Sequence, residues 1–230
     1  MKDRTKLILE SGVRDYIKTG IPITSARLFD VHDFGIRPAM IRCELNALGS
    51  LGYFSQNHPS GGRIPTHKAY RFFVDGILKN NDEEKKEKRE TRPFVSELVE
   101  GRKKEFIENL SEYLGVLSVG YEPRGNRMYG SGLSDLFSRL EFEAKEEFLR
   151  IVEDFESLEK RMSADFWEDE NEWPRVFIGK SPITRSRHLS VIADKIRPGR
   201  ENFFVFMIGP NRMDYEKSLE LLKSMEDSFL

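Results

Sequence analysis

Apolar side chains recur at helical spacing in several segments of the first eighty residues. Glycine, proline and hydroxyl residues separate these segments, as expected for short helices with distinct ends. The predicted elements are a helix ending at Gly20, a helix from an N-cap at Thr24 or Ser25 to about Phe34, a helix from Pro38 to about Leu51, a strand at 52–56, a turn-rich loop at 57–66, and a helix from about His67 to Lys79.

The remaining two thirds of the chain mix the periods of helices and strands, which predicts an α+β fold. The expected elements are a helix from Pro93 to Tyr113, strands at Leu114–Tyr121 and Arg127–Tyr129, a long helix at Glu143–Met162, strands at Arg175–Ile178, Leu189–Ala193 and Phe203–Ile208, and a last helix at Tyr215–Met225.

A charged stretch without any apolar residue, at 79–90, separates the two parts. We therefore expect one domain at 1–80, a linker at 81–92 and a second domain at 93–230. The net charge of −2 hides an asymmetry, because residues 1–81 hold 12 Lys and Arg against 7 Asp and Glu, a net of +5, while residues 82–230 hold 25 against 32, a net of −7. The basic first part is therefore the candidate for binding an acidic partner.

Composition excludes several other classes of function. A single cysteine, Cys43, excludes a disulfide framework and a zinc site built from several cysteines. The four histidines lack metal-ligand spacing, and no histidine is placed by sequence to activate Cys43 as a nucleophile. No apolar run approaches the roughly 18 residues of a membrane span, and the first residues lack a signal peptide's apolar core. We expect a cytoplasmic protein that is no enzyme and needs no cofactor or metal.

The order of three short helices, strand, loop and strand is typical of a winged helix-turn-helix, which places its third helix in the major groove of DNA. Helical spacing puts Ile41, Leu45 and Leu48 on the inner face of that helix. Arg42 and Asn46 then lie on the outer face, where Arg42 could pair with guanine and Asn46 with adenine. An ordinary amphipathic surface helix would show the same pattern.

The loop after the third helix adds groups that suit the DNA backbone. Gly61 and Gly62 allow backbone amides to approach phosphate, and Arg63 adds a cation. The alternative is a hairpin turn whose glycines serve geometry alone.

Three blocks of sequence resemble the HrcA family of bacterial heat-inducible transcription repressors. The first joins residues 21–25, Ile-Pro-Ile-Thr-Ser, to residues 39–42, Ala-Met-Ile-Arg. The second is 58–66, His-Pro-Ser-Gly-Gly-Arg-Ile-Pro-Thr, followed by 70–75, Tyr-Arg-Phe-Phe-Val-Asp. The third is 208–215, Ile-Gly-Pro-Asn-Arg-Met-Asp-Tyr. The resemblance covers residues 1–80 almost continuously and 126–230 with gaps.

This resemblance implies a homodimeric repressor that binds an inverted-repeat operator in double-stranded DNA upstream of chaperone genes. It also implies a GAF-like α/β domain for sensing and dimerisation, with the GroE chaperonin as a partner and no association with a membrane. Family chains are usually longer, and the loss here falls between about Tyr121 and Arg127. It removes most of the family's inserted dimerising domain and part of the GAF-like sheet, so the GAF-like domain is reduced. Met40 and Cys43 replace the family's Thr and Asn, so the operator sequence is expected to differ.

Together the residues and the resemblance give one candidate DNA-binding set: Thr24, Ser25, Arg37, Ala39, Met40, Arg42, Cys43, Asn46, Gln56, His58, Ser60, Gly61, Gly62, Arg63, Thr66, Lys68 and Arg71. Two alternatives stay open. One is a ligand-sensing winged-helix regulator of another regulon, which a closed apolar pocket beside the long helix would favour. The other is a protein-interaction module that has lost DNA reading, which an acidic or occluded third helix would favour.

Overall fold

Short helices and a small antiparallel hairpin make up the described part of residues 1–80. The elements are α1 (Asp3–Thr19), α2 (Ser25–Val31), α3 (Pro38–Ser50), β1 (Phe54–Ser55), β2 (Ile64–Pro65) and α4 (His67–Asn80). The computed structural model describes residues 1–56, 58, 61–80, 91–140, 145–162, 173–199 and 201–229. The chain divides into two units, Met1–Asn80 and Asn81–Leu230.

The ends of the first helices follow the local sequence. α1 stops where Gly20 takes a left-handed conformation with φ of 68°, which costs a glycine little. The Thr24 side chain accepts a hydrogen bond from the Arg27 amide and so caps α2. Pro38 is the first residue of α3, where the missing amide hydrogen has no intrahelical partner to lose.

The predicted end of α2 at about Phe34 is wrong, since the helix stops at Val31. His32 has extended backbone angles, and the Asp33 side chain accepts a hydrogen bond from the Gly35 amide at 2.9 Å. This local turn competes with the next turn of helix, as Asp commonly does.

The hairpin extends to a third segment through a pair of backbone hydrogen bonds. Within the hairpin Phe54 pairs with Pro65, and Ser55 with Ile64. Beyond it, Ile23 and Arg63 exchange two backbone hydrogen bonds of 2.8 Å each. The segment before α2 is therefore bound to the base of the hairpin loop.

Helices alternate with antiparallel strands in the second unit. The elements are α5 (Arg92–Val99), α6 (Lys103–Leu114), β3 (Leu117–Glu122), β4 (Arg127–Ser131), α7 (Leu133–Arg139), α8 (Lys145–Glu156), α9 (Leu158–Met162), β5 (Arg175–Ile178), β6 (Leu189–Ile196), β7 (Phe203–Pro210) and α10 (Tyr215–Phe229). The strands form one antiparallel sheet in the order β4-β3-β7-β6-β5.

Helices cover both faces of this sheet. One face carries the apolar core that β3, β6 and β7 share with Leu136 of α7, Ile151 of α8, and Leu158 and Met162 of α9. On the other face, Phe106 of α6 makes an edge contact with Phe203, and the Tyr215 hydroxyl of α10 donates to Ser190. The predicted α+β class is confirmed at this level.

Two long helices predicted from sequence are each divided. The helix expected from Pro93 to Tyr113 breaks at Gly101, whose φ of 76° ends α5. The helix expected at Glu143–Met162 separates into α8 and α9 at Ser157, whose hydroxyl donates back to the Glu153 carbonyl at 2.9 Å. At the second break the apolar spacing continues from Phe155 to Leu158, so periodicity alone does not reveal it.

The predicted linker at 81–92 overlaps the start of the second unit. Thr91 is buried and Arg92 opens α5 with Pro93 in its first turn, while residues 81–90 lie outside the described residues. Among the described residues, no helix combines the length and apolarity that crossing a membrane requires.

Candidate nucleic-acid interface

The third helix has two chemically different faces, as its apolar spacing predicts. Ile41, Leu45 and Leu48 are fully buried. The opposite face is exposed and offers small or polar side chains, namely Ala39, Arg42, Cys43 and Asn46. At its N-terminal end, Arg37 is exposed and Met40 retains 48% of its surface.

The acidic residue of α3, Glu44, is held away from this exposed face. Its carboxylate accepts a hydrogen bond from the Thr5 hydroxyl at 2.8 Å and lies 3.5 Å from the Arg4 guanidinium. Both partners belong to α1. The carboxylate is therefore turned toward α1, and the exposed face keeps its positive character.

Arg63 of the hairpin lies beside the exposed face of α3. Its Nη2 donates a hydrogen bond to Oδ1 of Asn46. Burial, and then the positive charge of nearby Arg42, lower the pKa of Arg63. In the part of the chain that the structure describes, Arg37, Arg42 and Arg63 form no ion pair. Two guanidinium groups thus lie close together without a neutralising carboxylate, which suits an anionic ligand.

Close packing of the hairpin loop explains its glycines. The Gln56 side chain donates to the Gly61 carbonyl at 2.6 Å, and the Gly61 amide donates to the His58 carbonyl at 2.8 Å. A Cβ on Gly62 would lie 2.6 Å from the Cβ of Pro22 and 2.8 Å from its backbone oxygen. A side chain at this position would collide with Pro22, which gives Gly62 a packing role, and its approach to phosphate stays a prediction.

Two other predicted residues, Thr66 after β2 and Lys68 in the first turn of α4, bond to the segment just after α3. The Lys68 ammonium donates to the Leu51 carbonyl at 2.7 Å and lies 4.5 Å from the Tyr53 ring centroid. The Thr66 hydroxyl donates to the Gly52 carbonyl at 2.7 Å. Both therefore have structural partners. Arg71 is an exposed residue of α4.

The remaining candidates lie around the start of α2 and in the loop. Thr24 is exposed and caps the helix, while Ser25 retains only 7% of its surface and packs inside the unit. Ser60 lies outside the described residues. Sequence reasoning missed Pro22 and Ile23, which hold the backbone of the hairpin loop. The alternation of apolar and polar residues around Ile23 is too short to predict that this segment pairs with a strand forty residues away.

The second unit holds a buried polar cluster centred on Asp154, which sequence reasoning also missed. Its carboxylate accepts hydrogen bonds from the Thr184 hydroxyl, the Arg185 amide and guanidinium, and the Arg161 guanidinium, at 2.6–2.9 Å. Every contact joins α8 to α9 or to the loop before β6, so the cluster holds these three segments together. Among the described residues no group of three or more His, Cys, Asp or Glu could hold a metal ion.

Comparison with known proteins decides the family. A family model described as the HrcA protein C terminal domain matches residues 77–219. The chain belongs to the HrcA family. Similar curated proteins are the heat-inducible transcription repressors HrcA of Thermobifida fusca, 42% identical over 96 residues, and of Anaeromyxobacter sp. (strain K), 37% identical over 122 residues.

These matches cover 42% and 50% of this chain, but only 28% and 34% of the two HrcA relatives. The chain thus aligns with about a third or less of the curated relatives' length. A solved structure titled as a hypothetical protein matches over 100% of this chain and 97% of that chain, with a TM-score of 0.74 and 17% sequence identity. At that identity the likeness supports the fold alone.

Proposed function

We propose that this HrcA-family chain is a DNA-binding transcriptional repressor of heat-shock genes, in which residues 1–80 act as a winged helix. The observation that carries the proposal is the pairing of Arg42 and Arg63 on one surface without a carboxylate to neutralise them. A DNA duplex carries closely spaced phosphates, and binding them releases counterions, so such a surface gains free energy on that polyanion.

In a winged helix, α3 is expected to contact base edges and the hairpin to contact the DNA backbone, and the arrangement of the two elements supports these separate roles. The inner face of α3 is locked by fully buried Ile41, Leu45 and Leu48, while Arg42 on the outer face is free to meet a base edge. The Ile23 pairing holds the backbone of Arg63 beside α3, which supports its proposed role as a contact to the DNA backbone. The proposed contact set is Arg37, Ala39, Met40, Arg42, Cys43, Asn46, Gln56, His58, Gly61, Arg63 and Arg71.

An exposed basic α3 also argues against a protein-interaction module that no longer reads DNA. The acid on this helix, Glu44, is turned toward α1, so the exposed face is neither acidic nor occluded within its own unit. The similar HrcA proteins are heat-inducible transcription repressors, which favours chaperone genes as the regulon.

We further propose that the protein acts as a homodimer on an inverted repeat. One α3 contacts only a few base pairs, so two copies related by a two-fold axis are needed for the affinity of a specific regulator. The second unit, as a reduced GAF-like domain, would then supply dimerisation and sensing, with the GroE chaperonin as the proposed effector. Its net charge of −7 over residues 82–230 would keep it from binding DNA non-specifically.

The test compares Arg42→Ala with Arg63→Ala on an inverted-repeat duplex from the promoter of the chaperonin genes and on a scrambled duplex. Arg42→Ala should reduce the preference for the inverted repeat by about ten- to a hundredfold, because a base contact is lost. Arg63→Ala should weaken binding to both duplexes and reduce the salt slope by about one, because a phosphate contact is lost.

A suitable control is Arg124→Ala, since Arg124 is an exposed arginine of the acidic unit that pairs with Glu201 at 2.6 Å. It changes the net charge equally and should leave both affinities unchanged. If Arg42→Ala and Arg63→Ala both behave like Arg124→Ala, this surface does not bind DNA.

A further inference from the structure

A hydrogen bond between side chains joins the exposed face of α3 directly to the hairpin. Arg63 donates from Nη2 to Oδ1 of Asn46, two residues 17 positions apart in sequence. A guanidinium has only donors, so the amide oxygen must be the atom that faces it. The NH2 group of Asn46 then points away from Arg63, on the exposed side of the helix.

We propose that Arg63 fixes the Asn46 amide with its NH2 group outward, so that Asn46 acts as a donor only. It then favours guanine, with acceptors at both O6 and N7, or thymine, with O4, over adenine, whose N7 acceptor lies beside the N6 donor. This inference rests on the proposed function, and it assigns Arg63 as a positioning residue in addition to a phosphate contact. It replaces the adenine pairing that the sequence suggested for Asn46.

The backbone of Arg63 is held firmly enough for this role. Its amide and carbonyl are both bonded to Ile23 at 2.8 Å, and the preceding Gly62 packs against Pro22 without room for a Cβ. The guanidinium is also partly buried and is repelled by Arg42, as the lowered pKa of Arg63 reflects. A polar acceptor such as the Asn46 oxygen therefore stabilises the Arg63 side chain in its place.

The base edges differ in whether Asn46 can bind them with its NH2 group alone or needs both its oxygen and its NH2 group. Adenine presents a donor beside an acceptor, so pairing it bidentately needs both the oxygen and the NH2 of the amide. The Asn46 oxygen is engaged with a cation, and charge-assisted hydrogen bonds are roughly twice as strong as neutral ones. Guanine presents only acceptors in its own half of the major groove, so the outward NH2 fits it without rearrangement. The remaining Arg63 donors stay available for phosphate.

The experiment is a selection from double-stranded DNA with two randomised half-sites in inverted repeat, using the full chain. The wild type should enrich guanine or thymine at one position of each half-site that depends on Asn46. Asn46→Ala should reduce that preference by about tenfold or more while the position read by Arg42 stays selected. Asn46→Asp should lose it as well, because a carboxylate beside Arg63 keeps the pairing but has no donor.

Arg63→Lys separates positioning from charge. Lysine retains the positive charge, so the salt slope should stay within a few tenths of the wild-type value. It lacks the rigid guanidinium fork, so the Asn46 amide is released and the preference at its position should relax toward adenine. Arg124→Ala serves as the unchanged control, and circular dichroism checks that each variant retains its helices.

The outcomes separate the two hypotheses. Adenine at the Asn46-dependent position of the wild type, or an unaltered preference in Arg63→Lys, overturns this inference while leaving the repressor function in place. A wild type that enriches no sequence at all overturns the proposed function, and this inference with it.

Discussion

A buried carboxylate in the second unit makes the stability of that unit depend on pH. Asp194 of β6 is fully buried, and its Oδ1 accepts a hydrogen bond from the Lys195 amide at 2.8 Å. Its Oδ2 is buried without a hydrogen-bond partner among the described residues. Burial, and then the charge of Glu226 on α10, raise the pKa of Asp194 from 3.8 to about 7. Burial, and then the charge of Asp227, also raise the pKa of Glu226.

Proton linkage gives the direction in which the free energy of unfolding changes with pH. Well below pH 4 both the folded and the unfolded protein carry a protonated Asp194, so the group gives no pH dependence there. Between pH 4 and 7 the unfolded protein loses this proton and the folded protein keeps it, so the free energy of unfolding falls as pH rises. A shift of about three units at about 1.4 kcal/mol per unit gives a loss on the order of 4 kcal/mol by pH 8.

Asp194→Asn mimics the protonated carboxyl and should remove this loss. At pH 8 the variant should be more stable than the wild type by up to the order of 4 kcal/mol, and the difference should shrink as pH falls toward 4. Denaturant unfolding followed by tryptophan emission measures it, because both tryptophans, Trp167 and Trp173, lie in the second unit.

The matched control is Asp154→Asn, a second fully buried aspartate whose oxygens are bonded to Arg161, Thr184 and Arg185. It should destabilise the unit at pH 8 by a few kcal/mol, since Arg161 and Arg185 each lose an ion pair with this buried carboxylate. If Asp194→Asn also destabilises at pH 8, or if its advantage grows as pH falls, the assignment of a neutral Asp194 is wrong.

Two further predictions concern the hairpin. Gly62→Ala should destabilise the first unit by about 1–3 kcal/mol and weaken DNA binding, because the new Cβ meets Pro22. The control is Gly49→Ala in α3, where the nearest atom to a new Cβ lies at 3.8 Å, and this variant should stabilise the unit by about 0.5–1 kcal/mol. Equal melting temperatures of the two variants would contradict the packing argument. Lys68→Ala should lower the stability by about 1 kcal/mol, because the hydrogen bond to the Leu51 carbonyl is lost. It should change the salt slope of DNA binding less than Arg63→Ala does. A reduced salt slope with an unchanged melting temperature would instead make Lys68 a phosphate contact.

Much of the first unit could be predicted from sequence because local chemistry decides its elements. Gly20 ends α1, Thr24 caps α2 and Pro38 opens α3, each through an effect that acts within a few residues. The inner face of α3 follows from its spacing alone. Where two local preferences compete, as at Asp33 after α2, periodicity extends the helix too far.

The arrangement of the candidate interface could not be predicted in the same way. The pairing of Ile23 with Arg63 and the hydrogen bond from Arg63 to Asn46 join positions far apart in the chain. The sequence identified Arg63 and Asn46 as candidates by residue type, but it assigned them separate roles. Their contact depends on how the hairpin folds back onto α3, which no local pattern encodes. Gly62 is a similar case, since its purpose is visible only beside Pro22.

The most direct test of the repressor function is a competition measurement with the wild-type chain. Its affinity for the chaperonin-gene promoter is compared with its affinity for a scrambled duplex of equal length and composition, over a range of salt concentrations. We expect the promoter to bind at least about a thousandfold more tightly, with two chains per inverted repeat and a steep loss of non-specific binding as salt rises. Equal affinity for the two duplexes at every salt concentration would contradict the repressor function.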